Sequence, residues 1–445
     1  MANVMATKIF WHPVSGFLLA AFCLILASIS LSCGGTSAPS AGATVAAPTN
    51  LSATATPLKP SPFAVTFSPN VPPTRYTGEY VGRAMKDASD LGAKSLRLEI
   101  PWQAIETREG RFDWAVPDRM VQAAEAAKVE LVLTVSGYSL GGCCANFPNL
   151  YGPPSDQKLR AYESFLRQFV QRYKGNVRYW QIENEVALPV FWGGSTELYV
   201  SLLSSAYRVI KSEDQEASIL LAGIAGTGDP AKTKALLEQG RDYFNIADVH
   251  LYFPPEELPG KIAELRAQMK QFGYEKPIWV TETGGPHPCG YRGVQEPPPE
   301  LQGSEVVRRY AELLSVGVER VFWFGLQRNT VPAWGCPGGE GAFNFMQLVR
   351  GQERRPAFAT YQLMVQKLGG FTAAEGVNLG EGISAFRFSV RGNPVFVLWS
   401  DKERTLTLPM ATPTVAVTDI AGVTRRMDAK AVTLTTSPVF VEEVR

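Results

Sequence analysis

Two short runs end on a glutamate, each where an apolar strand would give way to a loop. One is Tyr179-Trp180-Gln181-Ile182-Glu183-Asn184-Glu185, the other Ile278-Trp279-Val280-Thr281-Glu282-Thr283. Two carboxyl groups carried by different strands and brought face to face can divide one displacement. The protonated one donates to a leaving group while the ionised one attacks. A single glutamate near a strand end is usually a solvated surface residue. The pair gains weight from the polar and aromatic residues at the ends of other strand-like runs: Arg97, Asn184, His250, Tyr252 and Trp323. Glu99 lies two residues beyond Arg97, so in a strand it shares that residue's face. Glu183 is expected to face away from the carboxylates or to support its neighbours. This chemistry needs no cofactor and no metal, and none is expected.

The elements that must hold these residues alternate along the chain. Strand-like runs occur at Phe63–Thr66, Ser95–Ile100, Leu131–Val135, Val177–Ile182, Ile219–Ala222, Ile246–Leu251, Pro277–Thr281 and Val321–Phe324. Amphipathic, helix-periodic segments follow them at Val116–Ala127, Ser155–Tyr173, Thr196–Ser212, Ala231–Gln239, Leu258–Phe272, Ser304–Ser315 and Ala357–Leu368. Strand followed by helix, repeated eight times, predicts an α/β chain folded as a (β/α)8 TIM barrel over residues 61–370. In such barrels the functional groups gather at the carboxyl ends of the strands, which is where Glu185 and Glu282 fall. From about Gly370 the texture changes to short alternating runs separated by turn residues, among them Ala385–Val390, Pro394–Trp399 and Thr414–Thr418. This predicts a small antiparallel β-sandwich over 371–445.

Composition narrows the partners. The chain has 445 residues, with 43 basic and 42 acidic side chains and a formal net charge of +1. No basic stripe is visible, so nucleic acid is not expected as a partner. The aromatic content of 11%, nine Trp included, suits stacking on flat ligand faces as well as core packing. The first 33 residues read as an export signal: Lys8, then an apolar run from Phe17 to Ala27. Ser30-Leu31-Ser32-Cys33-Gly34 is similar to the lipobox of bacterial lipoproteins, with Leu31 one position nearer the cysteine than that pattern has it. Lipidation at Cys33, a plain cleaved signal and an uncleaved anchor each place the bulk of the chain outside the cytoplasm, as a cell-surface or secreted protein. Membrane contact is expected only through that terminus. Residues 34–60, rich in Ala, Ser, Thr and Pro, read as a disordered tether.

An oxidising compartment favours disulfides among Cys143, Cys144, Cys289 and Cys336. Four cysteines allow three pairings. Cys289–Cys336 is preferred, because the loops after the seventh and eighth strands are adjacent, with Cys143 and Cys144 left as a vicinal pair. Zinc is the rival, but His287 is the only nearby histidine and no paired ligand spacing accompanies it.

Several landmarks fall together at the expected strands. The second carries Ser95-Leu96-Arg97-Leu98-Glu99-Ile100-Pro101-Trp102, running into Ile105-Glu106 and Gly110-Arg111-Phe112-Asp113-Trp114. The fourth carries Asn184-Glu185, the sixth Asp248-Val249-His250-Leu251-Tyr252, the seventh Thr281-Glu282-Thr283-Gly284 and the eighth Phe322-Trp323-Phe324. Across roughly residues 60 to 445 the chain resembles retaining glycoside hydrolases of clan A. A barrel followed by a terminal β-sandwich is most similar to family 39, with families 5 and 42 as near relatives.

The resemblance implies a β-glycosidase acting on oligo- or polysaccharides, with carbohydrate as its partner. It implies Glu282 as nucleophile and Glu185 as acid/base, the two roughly 5 Å apart. Arg97 would keep Glu282 ionised, Asn184 would bond the sugar 2-hydroxyl and Tyr252 would bond the nucleophile. His250 would orient it or touch the sugar, and Trp323 would floor the subsite for the reacting sugar. Glu99 would pair with Arg97 or with a substrate hydroxyl. Trp102 and Trp192 either line subsites or pack. A non-catalytic carbohydrate-binding lipoprotein and a transglycosylase are the competing readings. Loss of either carboxyl would have favoured the former; partitioning of a glycosyl-enzyme between water and sugar would decide the latter.

Overall fold

The structure is a computed structural model, and it describes residues 61–67, 77–138, 155–189, 191–286, 298–327 and 345–444. The signal, the tether and all six cysteines lie outside the described residues. Among those described, no helix is long and apolar enough to cross a membrane.

The main strands of the first part, apart from two short hairpins, are β1 (Phe63–Phe67), β2 (Ser95–Pro101), β3 (Glu130–Ser136), β4 (Tyr179–Ile182), β5 (Ser218–Leu220), β6 (Ala247–Leu251), β7 (Ile278–Thr283) and β8 (Arg320–Phe324). With the short strand Ile224–Ala225 they form a nine-stranded parallel sheet in the order β5-β4-β3-β2-β1-β8-β7-β6-Ile224–Ala225. The two outermost segments are parts of one run of chain, joined by Leu221, Ala222 and Gly223. Leu220 also makes a parallel bridge to Ile246, just ahead of β6. The curl of this sheet and its helical crossovers are those of a TIM-barrel-like α/β fold.

The helices are α1 (Gly78–Asp90), α2 (Ala115–Ala127), α3 (Asp156–Tyr173), α4 (Thr196–Glu213), α5 (Pro230–Gln239), α6 (Leu258–Gln271), α7 (Pro299–Ser315) and α8 (Pro356–Leu368). Their starts are chemically marked. The side chains of Thr77, Ser155, Ser195 and Asp229 each accept a backbone N–H of the first turn. α1 is the helix not legible from periodicity. Its buried face holds Val81, Ala84, Met85 and Ala88 at helical spacing, set among polar residues that face outward.

Period two along the strands sorts the sheet's inner face into layers. An apolar layer at the amino ends is built by Ala64, Val132, Tyr179, Leu220, Ile246, Trp279 and Phe322. Two residues further along, the same face turns polar at five of these seven places: Thr66, Thr134, Gln181, Asp248 and Thr281, all buried. The carboxylates stand above this polar layer.

Beyond α8 come β9 (Phe371–Gly376), β10 (Ile383–Val390), β11 (Asn393–Ser400), β12 (Arg404–Leu406), β13 (Thr414–Asp419), β14 (Thr424–Asp428), β15 (Val432–Leu434) and β16 (Val439–Glu443). Six of them form an antiparallel sheet in the order β9-β10-β11-β16-β13-β14, while β12 and β15 pair separately. Alternation again assigns the faces. Phe386, Phe388, Val395, Val397, Trp399 and Phe440 join the core shared with the first part. Ala385, Phe396, Leu398, Val415, Val417 and Val441 pack with Val432 and Leu434 of β15. The expected antiparallel sheet is present, with a two-stranded partner on its outer face.

Candidate active site

Glu282 reaches the inner face through an irregularity. In a regular strand, Trp279 and Thr281 facing inward would send Glu282 outward to the helices. Between Val280 and Glu282 the pairing of β7 with both neighbours shifts, so that Glu282 sits opposite His250. A bulge of this kind re-aims a side chain. Thr283 then points outward, where its hydroxyl meets Nη1 of Arg309 on α7 at 3.1 Å. Glu185 arrives differently. β4 ends at Ile182, and Glu183 and Glu185 both take positive φ, 62° and 43°. For residues with a Cβ this conformation is disfavoured and persists only where surrounding contacts hold it.

The Glu183 carboxylate accepts the backbone N–H of Tyr138 at 2.7 Å and of Gly137 at 3.3 Å, tying the end of β4 to the end of β3. Burial nonetheless pushes its carboxyl up to about 8, against the pull of these two donors, with nearby Glu99 adding to the rise. Glu183 thus supports its neighbours and does not join the carboxylate pair.

Arg97 on β2 organises the centre. Its Nη1 donates to Glu282 Oε1 at 2.7 Å, Nη2 to Asn184 Oδ1 at 2.6 Å and Nε to Gln181 Oε1 at 2.8 Å. Tyr252 donates its hydroxyl to the other Glu282 oxygen at 2.7 Å. His250 Nδ1 lies 2.9 Å from Glu185 Oε1 and 3.5 Å from Glu282 Oε2. One oxygen of Glu185, one of Glu282 and a ring nitrogen of His250 all lie within 4.8 Å of one another. Burial works against an ionised Glu282, but His250, Arg97 and the Tyr252 hydroxyl outweigh it and hold the carboxyl below its ordinary range. His250 shows the reverse balance: burial opposes its charge, and Glu282 and Glu185 prevail to raise it. These three side chains are also the one group among the described residues that could ligate a cation. Both Glu282 oxygens already accept from Arg97 and Tyr252.

Six of the residues expected at the site therefore meet: Arg97, Asn184, Glu185, His250, Tyr252 and Glu282. Three do not join them. Trp102 is fully buried, packed on Tyr162 and Phe165, with its indole donating to Glu106 at 2.6 Å. Trp323 is fully buried too, its indole bonded to Met346 O at 2.7 Å, so its ring offers no open face as a sugar platform. Glu99 is exposed and does not pair with Arg97, each of whose three nitrogens donates elsewhere, to Gln181, Asn184 or Glu282. Trp192 packs against Tyr138 and Tyr199, while its neighbour Phe191 is one of two large hydrophobics exposed among the described residues.

Sequence reasoning missed the layer underneath. Gln181 Oε1 accepts from Arg97 and from Thr134 Oγ1 at 2.6 Å. Its amide nitrogen donates to Leu221 O at 3.0 Å and to Asp248. Asp248 also accepts the Thr281 backbone N–H at 3.1 Å and the Thr281 hydroxyl at 2.7 Å. The available signal was polar residues at inward positions of otherwise apolar strands. Gly223 was missed as well: a Cβ there would stand 2.0 Å from His250 Nε2, so the imidazole occupies the space a side chain would need. A separate cleft of about 860 Å³ lies between α7 and the C-terminal sheet, lined by Arg308, Trp399 and Asp401 among others, and contains none of these residues.

No family model matches the chain. A thermostable celloxylanase of Thermoclostridium stercorarium is 26% identical over 183 residues, 35% of this chain. The match spans 47% of that relative, so the chain covers about half its length. Solved structures share much more of the architecture. A family 39 glycoside hydrolase from Bacteroides cellulosilyticus WH2 superposes with a TM-score of 0.67 at 17% identity, over 86% of this chain and 81% of that one. A monomeric β-xylosidase from Caulobacter crescentus CB15 gives 0.59 at 14% identity, over 86% and 97%. A glucosidase from Croceicoccus marinus gives 0.58 at 11% identity, over 87% and 97%. The structures that the chain resembles are glycoside hydrolases of family 39 and other clan A families, so the resemblance carried by the motifs is met at the level of the fold.

Proposed function

We propose that the chain is a retaining β-glycosidase, with Glu282 as nucleophile and Glu185 as acid/base, on a closed (β/α)8 barrel followed by a β-sandwich. The observation that carries this is the closeness of the two acids, which bring an oxygen of each within 4.8 Å of the other. Retaining enzymes hold their carboxyls about 5–5.5 Å apart, whereas inverting ones leave about 6.5–9.5 Å for a water. In the first half-reaction Glu282 bonds to the anomeric carbon. The glycosidic C–O bond breaks with its electron pair going to oxygen, and that oxygen takes the Glu185 proton. In the second half, Glu185 takes a proton from water, the resulting oxygen attacks the anomeric carbon, and Glu282 leaves as carboxylate. Arg97 and Tyr252 keep Glu282 ionised, and Asn184, held by Arg97, is positioned for the sugar 2-hydroxyl.

The names of the similar proteins make β-linked xylose and glucose the first sugars to try. The enzyme works outside the cytoplasm, tethered through Cys33 or released after cleavage, a reading supported by the apolar run ahead of that residue. The test is turnover of aryl β-xyloside, glucoside, galactoside and mannoside with the matching oligosaccharides, wild type beside Glu282→Ala. Cleavage by wild type alone supports the reading. Cleavage by both sinks the nucleophile assignment. Silence of both on every substrate favours the carbohydrate-binding alternative.

A further inference from the structure

His250 touches both acids, and the hydrogen-bond donors beneath it decide what its ring can do. Gln181 is oriented from both ends. The Arg97 guanidinium can only donate, so it faces the amide oxygen; Leu221 O can only accept, so it faces the amide nitrogen. The amide nitrogen therefore donates to Asp248, and so does the Thr281 backbone N–H. Asp248 is fully buried, and burial raises its carboxyl against the pull of His250, Arg97 and the Thr281 donors; as the carboxylate those donors call for, it takes the one hydrogen of the Thr281 hydroxyl, 2.7 Å away. That hydroxyl also lies 3.1 Å from His250 Nε2. With its hydrogen committed to Asp248, Thr281 can only accept there, so Nε2 must carry a proton. Gly223 leaves the ring the room to lie in this position.

One consequence concerns the other ring nitrogen. Nδ1 stands 2.9 Å from Glu185 Oε1, and the two need one proton between them. Either Glu185 is protonated and donates, or the imidazolium donates to the carboxylate. We infer that Thr281 and Asp248 act as positioning residues, fixing the Nε2–H form of His250 so that Glu185 and His250 Nδ1 share the proton that the acid step delivers. This rests on the assignment of Glu185 as acid/base. The alkaline limb of activity then reports loss of that proton from the pair as a unit. The charged and titratable groups facing the ring are Glu185, Glu282, Asp248, Arg97 through Glu282, and Tyr252 through Glu282. Glu282 also gains: at 3.5 Å from Nδ1, it feels the imidazolium while it remains a carboxylate.

Without the Thr281 hydroxyl, Nε2–H loses its acceptor and the Nδ1–H form becomes accessible. That form donates to Glu185 and favours its ionised state. Thr281→Val keeps the side-chain shape and should move the alkaline limb of kcat/KM down by about one pH unit, the size of one net hydrogen bond. The direct reading is the imidazole nitrogen shifts of His250 in 15N-labelled protein across pH, assigned by loss in His250→Asn. In wild type Nε2 should stay protonated throughout while Nδ1 titrates, and in Thr281→Val that pattern should be lost. Nδ1 protonated throughout with Nε2 titrating would overturn the inference, as would a Thr281→Val protein with unchanged nitrogen shifts and a uniformly lowered profile. The nitrogen pattern is read without turnover. A wild type that holds it yet cleaves no glycoside shows that the glycosidase reading has failed, and with it the sharing of a catalytic proton.

Discussion

The two ends of the sheet interior each bury an arginine, and the arginines do opposite things. At the amino ends, Arg320 of β8 lies over the rings of Tyr179 and Trp279, 4.5 and 4.2 Å from their centroids, and bonds Ser95 Oγ at 2.7 Å and Glu130. Its partners close off an apolar layer. At the carboxyl ends, Arg97 of β2 bonds Glu282 and Asn184 of the candidate site and Gln181 beneath them. Both side chains are at most 2% exposed. Burial of charge is the same in each case, and what differs is whether the partners are needed elsewhere. In TIM-barrel-like folds stability concentrates at one end of the strands and chemistry at the other. The comparison is therefore open to attack by substitution.

The largest effect is expected at the carboxyl end. Glu282→Ala should lower kcat by at least about 10⁴-fold, with a thermal melt close to wild type; a variant that retains turnover would break the assignment. Arg97→Lys tests the arginine itself. An ammonium cannot serve Gln181, Asn184 and Glu282 together, so kcat/KM should fall about 10²-fold. The acid limb of the profile should rise, because Glu282 loses part of what keeps it ionised. Arg320→Met should do the reverse: a stability loss of about 2–3 kcal/mol, from lost ring contacts and hydrogen bonds, with kcat/KM within about twofold. Denaturant melts beside steady-state kinetics on both variants decide it. Equal loss of activity in the two would erase the contrast.

Gly223→Ala sharpens it on a smaller scale. The new Cβ would meet the His250 ring at 2.0 Å, and the ring is boxed in by Thr281 and Glu185. Turnover should drop about tenfold or more while the fold survives at a cost of about 1–3 kcal/mol. A crystal structure showing the His250 ring undisturbed would mean the backbone yields instead.

What could be read from the sequence follows the same division. All eight strand segments of the first part were legible, because apolar runs bounded by amphipathic helices are a strong signal. Glu185 and Glu282 stood out because two carboxylates ending apolar runs coincide with Arg97, Asn184, His250 and Tyr252 at the ends of other strands. The aromatic residues misled. Trp102 and Trp323 belong to the core, and a tryptophan's type says nothing about which face of its strand is covered. Glu282 faces inward only because β7 bulges, and strict alternation would have sent it to the helices. Gln181, Asp248 and Thr281 were hidden by being polar and unremarkable, and their role depends on which donors meet which acceptors.

The smallest expected effect separates support from chemistry within the carboxyl end itself. Glu183 is two residues from Glu185, yet it bonds only the backbone of Gly137 and Tyr138. Its carboxyl, ordinarily near 4.5, is raised by burial to about 8. In the unfolded chain it ionises at its ordinary value, while in the fold it keeps its proton. Across that window the folded state therefore binds more protons, and stability must fall as pH rises, levelling off above about 8. Glu312, raised to about 7 chiefly by burial, adds to the same slope. Lys158, lowered to about 8 by its own burial, acts only above that pH, where its contribution has the opposite sign. Denaturant melts between pH 5 and 8 should thus show a downward slope in wild type and a shallower one in Glu183→Gln, leaving the parts of Glu312 and of His250, which is also raised in the fold. An unchanged slope would mean that Glu183 is already ionised in the fold. Its two backbone donors would then have outweighed its burial, and the turn carrying Glu185 would be held by a charge.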